Sequence, residues 1–130
     1  MKICLVNTSS PFLLDERVFP SLGILQVASA LESVGHEVFV SDLAGLPDSN
    51  AEMIRVASQR WDAYGVTATT PQFPNAIEVL QTIREVDPGK RVIIGGPHAT
   101  VMPESCSMFD CIIRGDGEEA VIDALSPDAP

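Results

Sequence analysis

Four short stretches gather the residue types that could hold a ligand. Thr67-Ala68-Thr69-Thr70-Pro71-Gln72 offers three hydroxyls and one amide, all neutral. Hydroxyls and free backbone N–H groups where a helix begins suit a phosphate or an amide-bearing ligand, although one of Thr69 and Thr70 is also expected to cap the helix that follows. Gly95-Gly96-Pro97-His98-Ala99-Thr100 opens with two residues lacking Cβ. Such a pair lets a ligand approach the backbone closely, or makes a tight turn at positive φ. Arg114-Gly115-Asp116-Gly117-Glu118-Glu119 adds two more glycines and carboxylates able to accept from amides or ribose hydroxyls. Acids at a helix start are equally explained by the helix dipole. The fourth stretch, Asn7 to Phe19, is too long for a plain strand–helix turn and carries Ser9 and Ser10 near its start.

None of these residues forms a catalytic set. His98 has no second His, Cys or carboxylate at metal-ligand spacing, so zinc is not expected, and His98 reads as a donor to ligand or backbone. His36 follows Gly35 at the other end of the expected sheet and reads as structural. Cys4 and Cys111 lie in apolar runs as inert thiols, and three cysteines without C-x-x-C argue against a disulfide framework or a cluster held by this chain. There is no G-x-G-x-x-G and no G-x-x-x-x-G-K-[ST], which removes the dinucleotide and P-loop readings. A receiver domain would need an Asp ending the third strand, where Val66-Thr67 stands. Thr8-Ser9-Ser10 is a weak echo of a flavin phosphate loop, so a flavin- or nucleotide-binding domain remains an alternative, as does a ligand-free interaction domain.

These stretches punctuate an alternation of apolar runs and helical periods. Lys2–Val6 is continuously apolar after its first residue, as expected of a strand buried on both faces. After Pro20, Ile24, Val27, Ala28 and Leu31 recur at i, i+3, i+4 and i+7, and Gly35 ends that helix. Glu37–Ser41 is a second strand. Ser49 with Glu52 fits a capping box for a helix running to about Arg60 and burying Ile54, Ala57 and Trp61. Ala63–Thr67 is the third strand. Ala76, Val79, Leu80 and Ile83 mark the third helix, which Asp87-Pro88-Gly89 stops. Arg91–Ile94 and Asp110–Ile113 are strands four and five, with a short helix over Pro103–Met108 between them and a final helix over Glu118–Leu125. Five strand–helix units predict an α/β, doubly wound, five-stranded parallel sheet of flavodoxin-like (Rossmann-like) type, strand order 2-1-3-4-5. Ligands of such sheets bind beyond the carboxyl ends of the strands, at the switch between strands one and three. All four stretches fall on that edge.

The totals agree with one domain. The chain has 130 residues, 45% of them hydrophobic, with 18 acids against 8 bases and a net charge of −10. An acidic surface argues against nucleic acid, and no apolar run is long enough for a membrane helix. The start MKICLVN reads as a strand rather than a signal peptide, so a cytoplasmic location is expected. Residues 1–125 are expected to form the domain and 126–130, SPDAP, a linker or chain end.

In order and spacing, MKICLVNTSSP, PSLGILQVASALESVGHEVFVSDL, DAYGVTATTPQFPNA, VIIGGPHATVMPE and DCIIRGDGEEA resemble the N-terminal cobalamin-binding domain of cobalamin-dependent radical S-adenosylmethionine enzymes. IIGGPHAT followed by RGDGE is the most specific part. The resemblance implies a corrinoid lying across the carboxyl edge of the sheet. It implies contacts from Thr67, Thr69, Thr70, Pro71 and Gln72, from Gly95, Gly96, Pro97, His98 and Thr100, and from Gly115, Asp116, Gly117 and Glu118, with Ser9 and Ser10 toward the lower face. The D-x-H-x-x-G that supplies a cobalt-ligating histidine in methionine-synthase-like domains is missing, and Asp15-Glu16-Arg17 stands in that loop. The implied binding mode is base-off with no protein histidine on cobalt, which would favour a cob(I)alamin or five-coordinate state. The radical domain, with S-adenosylmethionine and its [4Fe-4S] cluster, would be a companion in cis or trans. On this reading the chain is not catalytic alone and serves such an enzyme, foremost a methyltransferase.

Overall fold

The computed structural model describes residues 1–8, 22–43, 49–68 and 73–113. The final helix expected over Glu118–Leu125 lies outside them. Within them run β1 (Lys2–Asn7), α1 (Leu22–Ser33), β2 (Glu37–Asp42), α2 (Ser49–Ala57), β3 (Ala63–Thr67), α3 (Phe73–Val86), β4 (Arg91–Gly95), α4 (Pro97–Val101), a 3-10 turn (Pro103–Cys106) and β5 (Cys111–Ile112). All strand pairings are parallel and the order is β2-β1-β3-β4-β5, as the sequence predicts.

Alternation along the strands divides the core in two. Ile3 and Leu5 of β1, Ala63 of β3 and Ile93 of β4 face α1, where Ile24, Ala28 and Leu31 meet them. Cys4 and Val6, Tyr64 and Val66, and Val92 and Ile94 face the opposite way, against Met53, Val56 and Ala57 of α2 and Ala76, Val79, Leu80 and Ile83 of α3. Each large aliphatic side chain buried in this way contributes about 1.5–3 kcal/mol. The continuous apolar reading of Lys2–Val6 follows from this two-sided burial. Burial pushes the Cys4 thiol up to about 12, so it is inert at neutral pH. Cys106 is also buried, whereas Cys111, expected to be buried, is only half so because β5 ends the sheet.

α2 departs from expectation. Its core stripe is Met53, Val56 and Ala57, and Ile54, one step round the helix, is 43% exposed. The helix stops at Ala57 rather than near Arg60 because its last turn tightens. Gln59 N–H donates to Val56 O and Arg60 N–H to Ala57 O, and Arg60 then takes a left-handed φ of 59°. The Trp61 indole N–H donates to Val56 O at 2.9 Å, satisfying a carbonyl that the helix end leaves open. Glu52 accepts from Arg55 Nε at 3.1 Å, and that hydrogen bond holds its carboxyl below its usual range.

The amino ends of β3 and β4 are joined through Asp87, which is 1% exposed. Its Oδ2 accepts from Tyr64 Oη at 2.7 Å and from Trp61 N–H at 3.0 Å, and Lys90 Nζ lies 3.4 Å from Oδ1. Burial alone would raise the Asp87 pKa. The Tyr64 hydroxyl, the Trp61 amide and Lys90 together outweigh it, so the carboxyl sits below its ordinary value. Burial and the same carboxylate drive the Tyr64 phenol upward. A depressed folded pKa adds stability that is fully present above the unfolded value, roughly 4, and is lost as pH falls through the folded one. Asp87→Ala strands a buried hydroxyl and a buried N–H. We expect it to cost about 2–5 kcal/mol in urea unfolding at neutral pH, and the deficit relative to the parent should shrink in acid.

Candidate functional site

Strand register assembles the carboxyl edge. Asn7 pairs with Asp42 on one side and Thr67 on the other, and Thr67 pairs with Gly95, so four residues form one row across β2, β1, β3 and β4. The chain leaves this row through Thr8, Ala68 and Gly96. Thr8 is fully buried and its Oγ1 donates to Thr67 O at 3.0 Å, tying β1 to β3 across the switch in strand order. Asn7 Nδ2 donates to Asp42 Oδ1 at 3.0 Å. Ala68 N–H donates to Gly95 O at 3.4 Å, and Ala68 O accepts the His98 N–H at 3.1 Å.

Of the residues picked from sequence, Thr67, Gly95, Gly96, His98 and Thr100 are described and lie together at this edge, with Pro97 as the first residue of α4. Ser9, Ser10, Thr69, Thr70, Pro71, Gln72, Gly115, Asp116, Gly117 and Glu118 lie outside the described residues. The segment after β4 was expected to be a loop followed by one helix over Pro103–Met108. It is instead a short helix, α4, and a separate 3-10 turn, broken where Pro103 cannot continue an α-helix.

Gly96 has φ +95° and ψ −175°, a conformation that essentially only glycine adopts. A Cβ there would also meet Thr67 Oγ1 at 2.5 Å and the Ala68 backbone at 3.1 Å. The turn and its packing on β3 therefore account for this glycine by themselves. Gly95 differs, since a Cβ would find only ordinary contact with Ile113 at 3.6 Å. Thr100 Oγ1 donates back to Gly96 O at 3.0 Å.

His98 is 4% exposed. Its ring stacks on Phe73, centroids 4.0 Å apart and planes 24° off parallel, and its Nε2 is 2.8 Å from Ser105 Oγ. Ser105 Oγ also lies 2.8 Å from Met102 O, to which it donates. Phe73 and Ser105 gave no sequence signal, because stacking partners and hydroxyl acceptors have no spacing rule across separate elements. Asn7 and Thr8 were legible only as the start of a long loop.

Among the described residues this rim is neutral apart from Asp42, and no group of three His, Cys, Asp or Glu is placed to hold a metal. No helix among them is long and apolar enough to cross a membrane.

Residues 16–125 match the B12 binding domain family. An uncharacterized methyltransferase of Pyrococcus horikoshii is 30% identical over 115 residues, covering 82% of this chain and 25% of its own length. The radical S-adenosylmethionine methyltransferase TsrM of Kitasatospora setae, solved with cobalamin and a [4Fe-4S] cluster bound, superposes with a TM-score of 0.73 at 22% identity. That match covers 99% of this chain and 25% of TsrM. A response regulator receiver protein of Sinorhizobium medicae has a TM-score of 0.65 at 20% identity, over 95% of this chain and 90% of its own. The chain thus spans about a quarter of the length of the methyltransferases it matches.

The two glycines should separate on substitution. Gly96→Ala must strain its backbone and displace Thr67 or Ala68, and we expect a loss of about 1–3 kcal/mol. Gly95→Ala should change stability by less than about 1 kcal/mol. Thermal unfolding of the ligand-free chain measures both.

Proposed function

The chain belongs to the B12-binding domain family and is a cobalamin-binding domain, and we propose that it holds the cofactor base-off, without a protein histidine on cobalt, as the cofactor module of a radical S-adenosylmethionine enzyme. The observation that carries the first part is the engagement of both histidines. The sequence has two. His36 Nδ1 accepts from the Met1 amine at 3.1 Å, at the amino end of the sheet, away from the binding edge. The His98 ring is enclosed by Phe73 and Ser105. Neither imidazole is presented at the rim as a metal ligand would be.

The rim fits the cofactor by its donor set. A corrinoid carries its own metal and a periphery of amides, and it needs neutral hydrogen-bonding partners more than charged ones. Asn7, Thr67, Ala68 and Gly95 place short, uncharged side chains or none along it. On this reading Thr67, Thr69, Thr70, Pro71 and Gln72, Gly95, Gly96, Pro97 and Thr100, and Gly115, Asp116, Gly117 and Glu118, with Ser9 and Ser10, contact the corrin amides and the nucleotide tail, and the enclosed His98 ring lies behind them. When bound, the corrinoid supplies methyl-carrier chemistry at cobalt. The chain's own residues bind and orient it.

The companion is proposed on the relatives. TsrM is a radical S-adenosylmethionine methyltransferase by name, and the Pyrococcus relative is an uncharacterized methyltransferase; in each, the matched part is about a quarter of the whole. A radical domain in cis or trans, holding S-adenosylmethionine and the [4Fe-4S] cluster, completes the reading, with methyl transfer as the reaction.

Titration of the purified chain with hydroxocobalamin should shift the visible absorption to saturation. After one-electron reduction, the paramagnetic resonance spectrum of the bound cofactor should lack splitting from an axial nitrogen. Nitrogen splitting would overturn the ligation proposed here, and an unshifted titration would remove the cofactor assignment with it.

A further inference from the structure

We infer that Asn7 is a ligand-binding residue of the carboxyl edge, whose side-chain oxygen accepts an N–H from a primary amide of the corrin periphery, with Asp42 as the residue that aims it. The inference rests on the cobalamin reading of this edge. Strand alternation fixes where Asn7 points. It lies two residues beyond Leu5 and four beyond Ile3, both of which face α1. Its neighbours in the row, Asp42 and Thr67, stand two residues beyond Val40 and four beyond Ala63, on the same side. The three side chains therefore sit abreast on one face of the sheet, where the strand order switches.

Asn7 is only 7% exposed, so each of its polar atoms needs a partner or a reason. Nδ2 donates to Asp42 Oδ1 at 3.0 Å. Beside a carboxylate an amide must present its NH2, and this turns Oδ1 away from Asp42. Oδ1 accepts no hydrogen bond from the described residues, and it is not among their sealed polar atoms, so it stays open to solvent. The Thr67 hydroxyl beside it likewise makes no hydrogen bond among the described residues.

Holding β2 to β1 does not explain this arrangement. Six residue pairs already join those strands, and the bond to Asp42 uses only the nitrogen of Asn7. An apolar residue would fill so enclosed a position without leaving a carbonyl to be desolvated. An acceptor and a hydroxyl held side by side match a primary amide, whose N–H meets Asn7 Oδ1 and whose oxygen accepts from Thr67 Oγ1. A carboxylate in that place would face the Asn7 oxygen and the charge of Asp42, so the pair selects amides over acids.

Two tail-free rings isolate the contact: cobinamide, which carries primary amides, and the heptamethyl ester of cobyrinic acid, which carries none. Asn7→Ala should bind cobinamide about two- to tenfold more weakly than the parent, the worth of one neutral hydrogen bond. The ester ring should bind parent and variant within about twofold of each other. Asp42→Ala frees the amide to turn and should narrow the preference for amides over esters; an unchanged preference would overturn the aiming role. In the parent, the side-chain amide resonance of Asn7 should move on saturation with diamagnetic hydroxocobalamin.

Equal losses on the two rings would overturn the inference, because a purely structural asparagine weakens both. A resonance that stays in place at saturation would overturn it without any variant, and it decides the matter where a ring without the tail binds too weakly to titrate. A parent that takes up neither hydroxocobalamin nor cobinamide defeats the cofactor reading, and this inference falls with it. Uptake with equal losses leaves the cofactor reading standing and removes Asn7 alone.

Discussion

Two-sided burial of the central strands is the constraint from which the rest follows. Ile3 and Leu5 face α1 while Cys4 and Val6 face α2 and α3. With helices on both faces, ligand access falls to the edges of the sheet. The parallel arrangement makes the two ends unlike, because every described strand leaves toward the same side. At the carboxyl end, register alone lines up Asp42, Asn7, Thr67 and Gly95. The candidate edge is thus a product of pairing, and the side chains along it are free to be small.

Much of this was legible in the sequence because it depends on local repetition. The apolar run Lys2–Val6, the helical stripe Ile24–Val27–Ala28–Leu31 and the stripe Ala76–Val79–Leu80–Ile83 all carry their own period, and parallel strand–helix alternation leaves few topologies. The strand order β2-β1-β3-β4-β5 followed. What failed was local in a different way. Ile54 and Met53 are neighbours with similar claims on the core, and only the path of α2 over the sheet decides between them. The end of α2 depends on Arg60 accepting a left-handed φ, which its residue type does not advertise.

The candidate edge was legible as a place more than as a set of contacts. Gly95-Gly96 looked like a backbone opened for a ligand, but Gly96 is held to glycine by its own turn and by Thr67. His98 looked like a donor, and its hydrogen bonds run to Ala68 O and Ser105. In both cases the interaction joins elements distant in sequence, so no spacing rule reports it. Gly96 and His98 hold this edge in shape.

The two ends of the sheet divide stability from binding. At the amino end Asp87 gathers Tyr64, Trp61 and Lys90 into a buried, charge-assisted network. Such bonds are among the stronger ones available to a domain of this size. Lys2 Nζ adds to it, 5.0 Å above the Trp61 ring, which itself stacks on Phe39. At the carboxyl end the described links include the neutral bond from Thr8 Oγ1 to Thr67 O and the bond from Asn7 Nδ2 to the Asp42 carboxylate. A rim whose links are mostly uncharged can shift without stranding a buried charge. It can do so because the strands it terminates are already fixed from their other end.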